Sequence, residues 1–484
     1  MGKAKIDSTS SAYDAMEWRL TKADALWGGT AAMRQSGTMF LPPYASETTK
    51  NWKTRLSRAV LFNYFKKTAT ALGGKPFSRE LQVKDADPAI EECLENVNLQ
   101  GDSFHVVAQR EFTKALAKGL AIFLVDFPTN TAPNAAAERA LGLRPYLVPI
   151  APENLLAAYV DVNEKGEEIV THARVYSEEV VREEFDEVTI QTIMVYEPGV
   201  WQKWQKRSKS ANYSLVETGF TPLDYVPLLA FYTEKEAPFV SRPTLEDLAD
   251  KNIEHWQSSS DQRHCLTVAR FPMLAGKGVS KAEGEVVKVG PYETLFAENP
   301  QSEFYYVEHT GAALAAGKQD LDDIKAEMAI LALEPTAPKD RQTATSAALD
   351  ANDSLSVLQM LTLNYEDFLE RLLEMMADWM KIDHEAAGEV VLFKEFNLSG
   401  LDAKVLDTLI ASRNAGEITS EEFIRELVRR GVLRADLDIE AAAVEAEKAK
   451  AEAKKLDLAA RAKAGVGNTG GAAAGKKPAP KPQA

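Results

Sequence analysis

An α+β fold, mainly helical, is predicted by three features of the sequence. Apolar residues recur at helical spacing over residues 12–125 and again beyond residue 244. Residues 145–235 switch to β-rich runs. An unbroken a/d series of period 3.5 then runs through Leu358, Leu361, Tyr365, Phe368, Leu372, Met375 and Trp379.

In the first helical part, Trp52, Leu56, Val60 and Tyr64 stand at four-residue steps with Leu61 and Phe65 beside them, which predicts one helix from Ser46 to Leu72. Gly73 and Gly74 should stop it. Leu155–Val162, Glu168–Val175, Thr189–Tyr196 and Ser214–Glu217 read as strands of an antiparallel meander, with a turn at residues 163–166. Thr244, three residues before Asp247, approximates a capping box for a helix to Ala269 that ends before Pro272. Short glycine-rich strands follow over 271–308. Leu314, Leu321, Ile324, Met328 and Leu331 then mark a helix from Ala312 to Leu333. Residues 334–338 (EPTAP) break it. The long helix runs from Thr345 to Met380, about 54 Å at 1.5 Å per residue. Its stripe also fits the core seam of an ordinary helical bundle. Leu401–Ala415 is a helix closed by Gly416. Thr419 with Glu422 forms a capping box, and Ile418 with Phe423 its hydrophobic staple. Ile439–Ala464 is Ala/Glu/Lys-rich and helical, but marginal without a partner.

Composition excludes several classes. The 484 residues hold 56 Lys/Arg against 72 Asp/Glu, a net charge of −16, which disfavours a nucleic-acid coat. Two cysteines, Cys93 and Cys265, exclude a disulfide scaffold and a cysteine-rich zinc module and fit a reducing compartment. Met1–Ser11 is polar, so no secretory signal is expected, and no run approaches 18 apolar residues, so no membrane span is expected. Charge is uneven: residues 448–484 carry nine Lys/Arg and two acids, and the Gly/Ala/Pro/Lys end over 464–484 reads as a disordered basic tail.

Chemical motifs are scarce. Residues 465–470 match GxGxxG but lack the strand and helix that a dinucleotide site needs. There is no GxxxxGK[ST] loop, no HExxH, no GxSxG and no CxxC. Asp161, Asn163 and Gly166 resemble a calcium loop, but His172 falls where the bidentate Glu belongs, so a hairpin turn is the better reading. His105, His172, His255, His264, His309 and His384 form no pair at helical spacing, so no metal ligation is expected. His264 and Cys265 are neighbours, but a structural cysteine is favoured over a nucleophile. Arg55, Arg58, Lys66 and Lys67 read as the solvated face opposite the Trp52 stripe, and Lys203, Lys206, Arg207 and Lys209 as a solvent-facing hairpin loop. No catalytic, metal-binding or cofactor-binding residue is assigned, and no cofactor is expected.

Two segments resemble a known family. Leu41–Phe77 carries Leu41-Pro42, Glu47, Trp52, Arg55-Leu56-Ser57-Arg58-Ala59, Phe62-Asn63 and Gly74 before Phe77. Arg242–Gly278 carries RPTLEDLADKNIEHWQSSSDQRHCLTVARFPMLAGKG. In that order, with GPYETLFA, FYYVE and the proline-marked break after them, they resemble a subfamily of tailed-bacteriophage portal proteins, the head-to-tail connector subunits. The resemblance covers about residues 15–435, and the ordered series carries it rather than any one motif.

The resemblance implies an elongated subunit with these parts: wing 1–240, first stem helix 241–270, clip 271–308, second stem helix 309–333, tunnel loop 334–343, long wing helix 344–384 and crown 385–463. It implies a non-enzymatic ring, of twelve copies in most of the family, at a capsid vertex of the virion, assembled in the host cytoplasm. Double-stranded DNA would pass through, packaged by the terminase large subunit and later ejected. Major capsid or scaffolding protein and a head-completion or tail adaptor would be the other partners, with no membrane. Asp320, Asp322, Asp323 and Glu327 are candidates for an acidic channel lining that repels phosphates. Glu334, Pro335, Thr336, Ala337, Pro338, Lys339, Asp340 and Arg341 would form the tunnel loop, with Lys339 and Arg341 making transient phosphate contacts. The basic tail matches no portal pattern. The alternative is a cytoplasmic, hydrolase-like enzyme whose site gathers scattered carboxylates and histidines in a cleft. A helical scaffolding or adaptor protein fits less well, because of the β runs.

Overall fold

The computed structural model describes residues 5–128, 141–163, 166–207, 212–270, 273–277, 300–307, 312–332, 344–394, 396, 403–430, 432–433 and 437–465. The chain divides into two units, residues 1–394 and 395–484. Among the described residues no helix is long and apolar enough to cross a membrane.

The first unit is built around strand Leu120–Asp126, which is buried from Leu120 to Val125. It is the middle of a three-stranded antiparallel sheet, between Tyr146–Ile150 and Leu228–Tyr232. Side chains alternate across a strand, so a strand without polar positions must be covered on both faces. Leu120, Ile122 and Leu124 meet Met16 and Leu20 of helix Ser11–Trp27 and the inner residues of the meander. On the other face Phe123 lies 5.8 Å from Phe368, and Phe231 lies 4.8 Å from Tyr365, ring centre to ring centre. Helix Phe104–Lys118 completes that layer through Phe112, 4.9 Å from Tyr365. Gly119 ends this helix at φ +88°, in the left-handed region glycine favours, and a Cβ there would sit 3.1 Å from Pro243 N and Ser241 O. Few other residues fit both demands.

The meander has five antiparallel strands in sequence order: Leu155–Val162, Glu168–Glu183, Asp186–Glu197, Val200–Arg207 and Ser214–Phe220. The four expected runs are all strands. Val200–Arg207 is the strand the sequence reading missed, so Lys203, Lys206 and Arg207 stand on a strand rather than in a loop. The alternation of Trp201 and Trp204 with polar residues is irregular there, which hid the period. Lys209 lies outside the described residues.

The long helix spans Ala344–Met380, 37 residues, one residue longer at its start than expected. Leu358, Leu361, Tyr365, Phe368 and Leu372 are buried, joined by Leu369, Leu373 and Met376. It packs on the sheet and helix Phe104–Lys118, not in a helical bundle. The Tyr365 hydroxyl donates to Ala108 O at 2.9 Å, and Trp379 Nε1 donates to Val125 O at 3.2 Å. Strand Glu389–Val391 returns along it: Glu366 accepts from Leu392 N (2.6 Å) and Lys394 Nζ (2.8 Å).

The first helical segment corrects two expectations. One helix was expected from Ser46 to Leu72; two form, Thr49–Arg58 and Tyr64–Gly74. Asn63 caps the second, its side chain accepting from Lys66 N and donating to Leu26 O at 2.6 Å. Val60 and Phe62 are consequently exposed, and the four-residue stripe is not one face. Arg55, expected in solvent, is buried.

The second unit holds helices Ala403–Ala415, Ser420–Arg429 and Ile439–Gly465. Gly416 follows the first at φ +82°. The capping box forms: Thr419 Oγ1 accepts from Glu422 N at 3.1 Å, and Thr419 N donates to Glu422 Oε2 at 2.9 Å. The Ala-rich helix finds its partner here, setting Ala442, Ala443 and Ala446 against Phe423 and Ile424, with Ile418 in the same cluster.

Candidate functional site

Helices Glu246–Ala269 and Ala312–Leu331 form an antiparallel pair. Three cross-links give the direction: Lys251 Nζ to Glu327 (2.7 Å), Ser258 Oγ to Asp320 (3.0 Å) and Gln262 Nε2 to Leu314 O (2.8 Å). Ile324 and Met328 of the second helix are buried, with Ala332 just past its end. Gly317 leaves room for Gln262, whose Oε1 would lie 2.2 Å from an added Cβ. A glycine inside a helix costs about 1 kcal/mol, and here it admits the Gln262 bond across the pair. The first helix starts at Glu246, later than a Thr244 cap implies, and Asp247 is taken by Arg242 at 2.9 Å.

The four acids proposed for a channel lining are all exposed. They divide into two kinds. Asp320 and Glu327 are tied to the neighbouring helix by the bonds just given. Among the described residues Asp322 and Asp323 have partners only on their own helix, Lys325 at 3.5 Å and Gln319 at 2.9 Å. Residues 334–341, the tunnel-loop candidates, lie outside the described residues, as do His309 and most of 271–308. Of that last stretch Met273–Lys277 and Glu303–Val307 are described, and they pair antiparallel.

The motif residues from the two halves of the sequence converge on the root of this pair. The Arg55 side chain, 3% exposed, donates to Glu47 at 2.8 and 3.0 Å and to Pro42 O at 2.8 Å. It also lies 4.1 Å over the Tyr44 ring and 3.4 Å from Asp261 of helix Glu246–Ala269. The Tyr44 hydroxyl donates to the same Asp261 at 2.5 Å. Arg55 holds the Glu47 carboxyl below its ordinary range. Trp52 Nε1 donates to Leu41 O at 2.8 Å. Asn252, fully buried, accepts from Phe65 N and donates to Phe62 O, both at 2.9 Å. These two bonds satisfy backbone groups freed where the chain leaves the helical path. Sequence reasoning had the motif but missed this work, since the partners stand about 190–220 residues apart.

A cleft of about 1030 Å³ opens between the meander, strand Leu228–Tyr232 and the end of the long helix. His384 Nε2 sits 2.8 Å from Asp378 Oδ1, and the Tyr225 hydroxyl donates to the other oxygen of Asp378. The hydrogen bond to Asp378 raises the His384 pKa. Burial and then Asp378 push the Tyr225 phenol far up, so it stays protonated near neutrality. The cluster can hold a proton and tie the loop before strand Leu228–Tyr232 to the long helix. Among the described residues its lining includes no serine, threonine or cysteine. Among the described residues no group of three or more His, Cys, Asp or Glu could hold a metal ion. Cys93 is buried, and burial raises its thiol pKa, as for a structural cysteine; Cys265 is exposed, not structural in that sense.

Residues 244–380 match the model of a family described as a domain of unknown function, DUF4055. That range holds the helix pair and the long helix. No curated protein matches the chain. Among solved structures, a chain from the neck of an empty GTA particle with C6 symmetry is similar, with 11% identity and a TM-score of 0.44. So are chains from the neck of a native GTA particle with C12 symmetry (11%, 0.38) and from the virion of a native gene transfer agent particle (12%, 0.39). Each alignment covers 75% of this chain and 89% of the other. Likeness at these scores carries no argument about this chain.

Proposed function

We propose that the chain is the repeating, non-enzymatic subunit of a portal-type ring at the vertex of a phage-like capsid. The observation that carries this reading is the ordered motif series, whose residues also work as one structural device. Arg55, Glu47, Trp52 and Asn252 anchor an antiparallel helix pair onto a folded body. An anchored pair of that kind suits a stem. In this reading residues 1–240 are the wing, the pair is the stem, 271–308 the clip, 334–343 the tunnel loop, 344–384 the long wing helix and 385–463 the crown. Val357, Met360 and Leu363 leave 38–53% of their surface exposed along the long helix, and Ile330 60% on the second stem helix. Apolar surface of this kind is covered when copies close head to tail into a ring. Asp322 and Asp323, free of the neighbouring helix, are the better lining candidates. Duplex DNA, a terminase motor, capsid or scaffolding protein and a tail-side adaptor are the partners, in the virion and during assembly in the host cytoplasm.

The test is the solution mass by mass photometry at low and high salt. Twelve 53.2 kDa subunits give about 640 kDa. A species near that mass, with a central hole in negative stain, is expected. A monomer or dimer at every concentration rejects the ring. A hydrolase working in the Tyr225–Asp378–His384 cleft would show hydrolytic turnover that is lost in D378N, and that result would favour the enzyme reading instead.

A further inference from the structure

We propose that the recess between helices Thr49–Arg58 and Glu246–Ala269 is a binding pocket for a tetrahedral oxyanion, a phosphate group free or on a polymer. The recess has a volume of about 210 Å³ and is lined by Arg55, Arg58, Ser260, Arg263 and His264 among others. Three observations converge on it. First, Arg58 on one helix and Arg263 on the other are both exposed and have no ion-pair partner among the described residues. Second, Arg55 between them is consumed by Glu47, and Asp261 accepts from Tyr44 and Arg55, so the nearby acids are already engaged. Two uncompensated guanidiniums are left in a chain whose net charge is −16. Third, Ser260 is 3% exposed and its Oγ has no hydrogen-bond partner among the described residues. A buried hydroxyl without a partner is unfavourable, and an acceptor oxygen entering the recess would satisfy it.

The geometry favours phosphate over carboxylate. A planar carboxylate offers two oxygens and pairs with one guanidinium fork. A tetrahedral phosphate can meet guanidiniums approaching from two helices and still accept from a hydroxyl. The pocket does not depend on the ring: a monomer would bind phosphate here too.

The experiment titrates the full chain with inorganic phosphate by calorimetry, at constant ionic strength held with chloride. Binding is expected, weakened roughly tenfold in R58Q and in R263Q, each removing one exposed charge-assisted donor. S260A should weaken it several-fold. K53Q, an exposed charge on the same helix, should leave it unchanged. A parallel titration with a duplex of about 20 base pairs separates the sources: tighter binding than free phosphate, with a salt slope reduced by about one in R263Q, assigns the polymer. Weaker binding of the duplex assigns the free ion. No binding of either, equal loss in K53Q and R263Q, or acetate binding as well as phosphate overturns the proposal.

Discussion

Replacing Arg55 by methionine should destabilise the first unit by about 3–5 kcal/mol, the cost of removing one partner of a buried ion pair. The lower end applies, because Asp261 and Tyr44 beside the pair are exposed. Glu47, with a 5% exposed side chain, would keep only the Tyr44 amide at 3.2 Å as a donor. Glu47→Gln keeps the shape and loses the charge, and should cost about 1–3 kcal/mol. The double variant R55M/E47L leaves no orphaned charge, so its cost should fall well below the sum of the singles. The assay is equilibrium urea unfolding at fixed protein concentration, because self-association shifts apparent stability. The pair also sets a pH dependence. Glu47 is depressed in the folded state, so its contribution is complete above the unfolded carboxylate pKa of about 4.3 and is lost as pH falls through the folded value. R55M should flatten that acid limb. Single variants costing under about 0.5 kcal/mol, or a strictly additive double, would refute the argument.

Two further outcomes follow from the same root and from the cleft. Asn252→Ala leaves Phe65 N–H and Phe62 C=O without their partner and should cost about 2–4 kcal/mol, read as faster hydrogen exchange at the Phe65 amide. His384 is raised by Asp378, so its stabilising charge is present below about 6.5 and is lost as pH rises through the folded pKa. In D378N the imidazole should titrate near its ordinary value, measured by NMR of its ring protons.

Local patterns were legible and distant partners were not. The long helix was predicted to within one residue because its period runs over many turns. The Thr419–Glu422 box was predicted because both partners lie within one turn. The same rule misled at residues 46–72. Trp52, Leu56, Val60 and Tyr64 have helical spacing, but Asn63 breaks the helix by bonding to Leu26 O, a contact no local pattern carries. Arg55 looked solvated because a single sequence does not say that Glu47 and Pro42 fold back over it. The helix that carries the four acids was legible from its apolar spacing, but only the pairing with Lys251 and Ser258 separates Glu327 and Asp320 from Asp322 and Asp323.

The covering of the central sheet has a consequence for synthesis. Tyr365 closes on Ala108 across 257 positions, and Trp379 on Val125 across 254. At 5–20 residues per second, the ribosome needs on the order of 10–50 s to deliver the lid after the strand it covers. Throughout that interval Phe112 and Phe123, joined by Phe231 once it is made, have no long helix to rest against. The nascent chain therefore carries an open aromatic face, which closes only when residue 380 has emerged. Conditions that slow translation between residues 125 and 380 should raise aggregation without altering the finished protein.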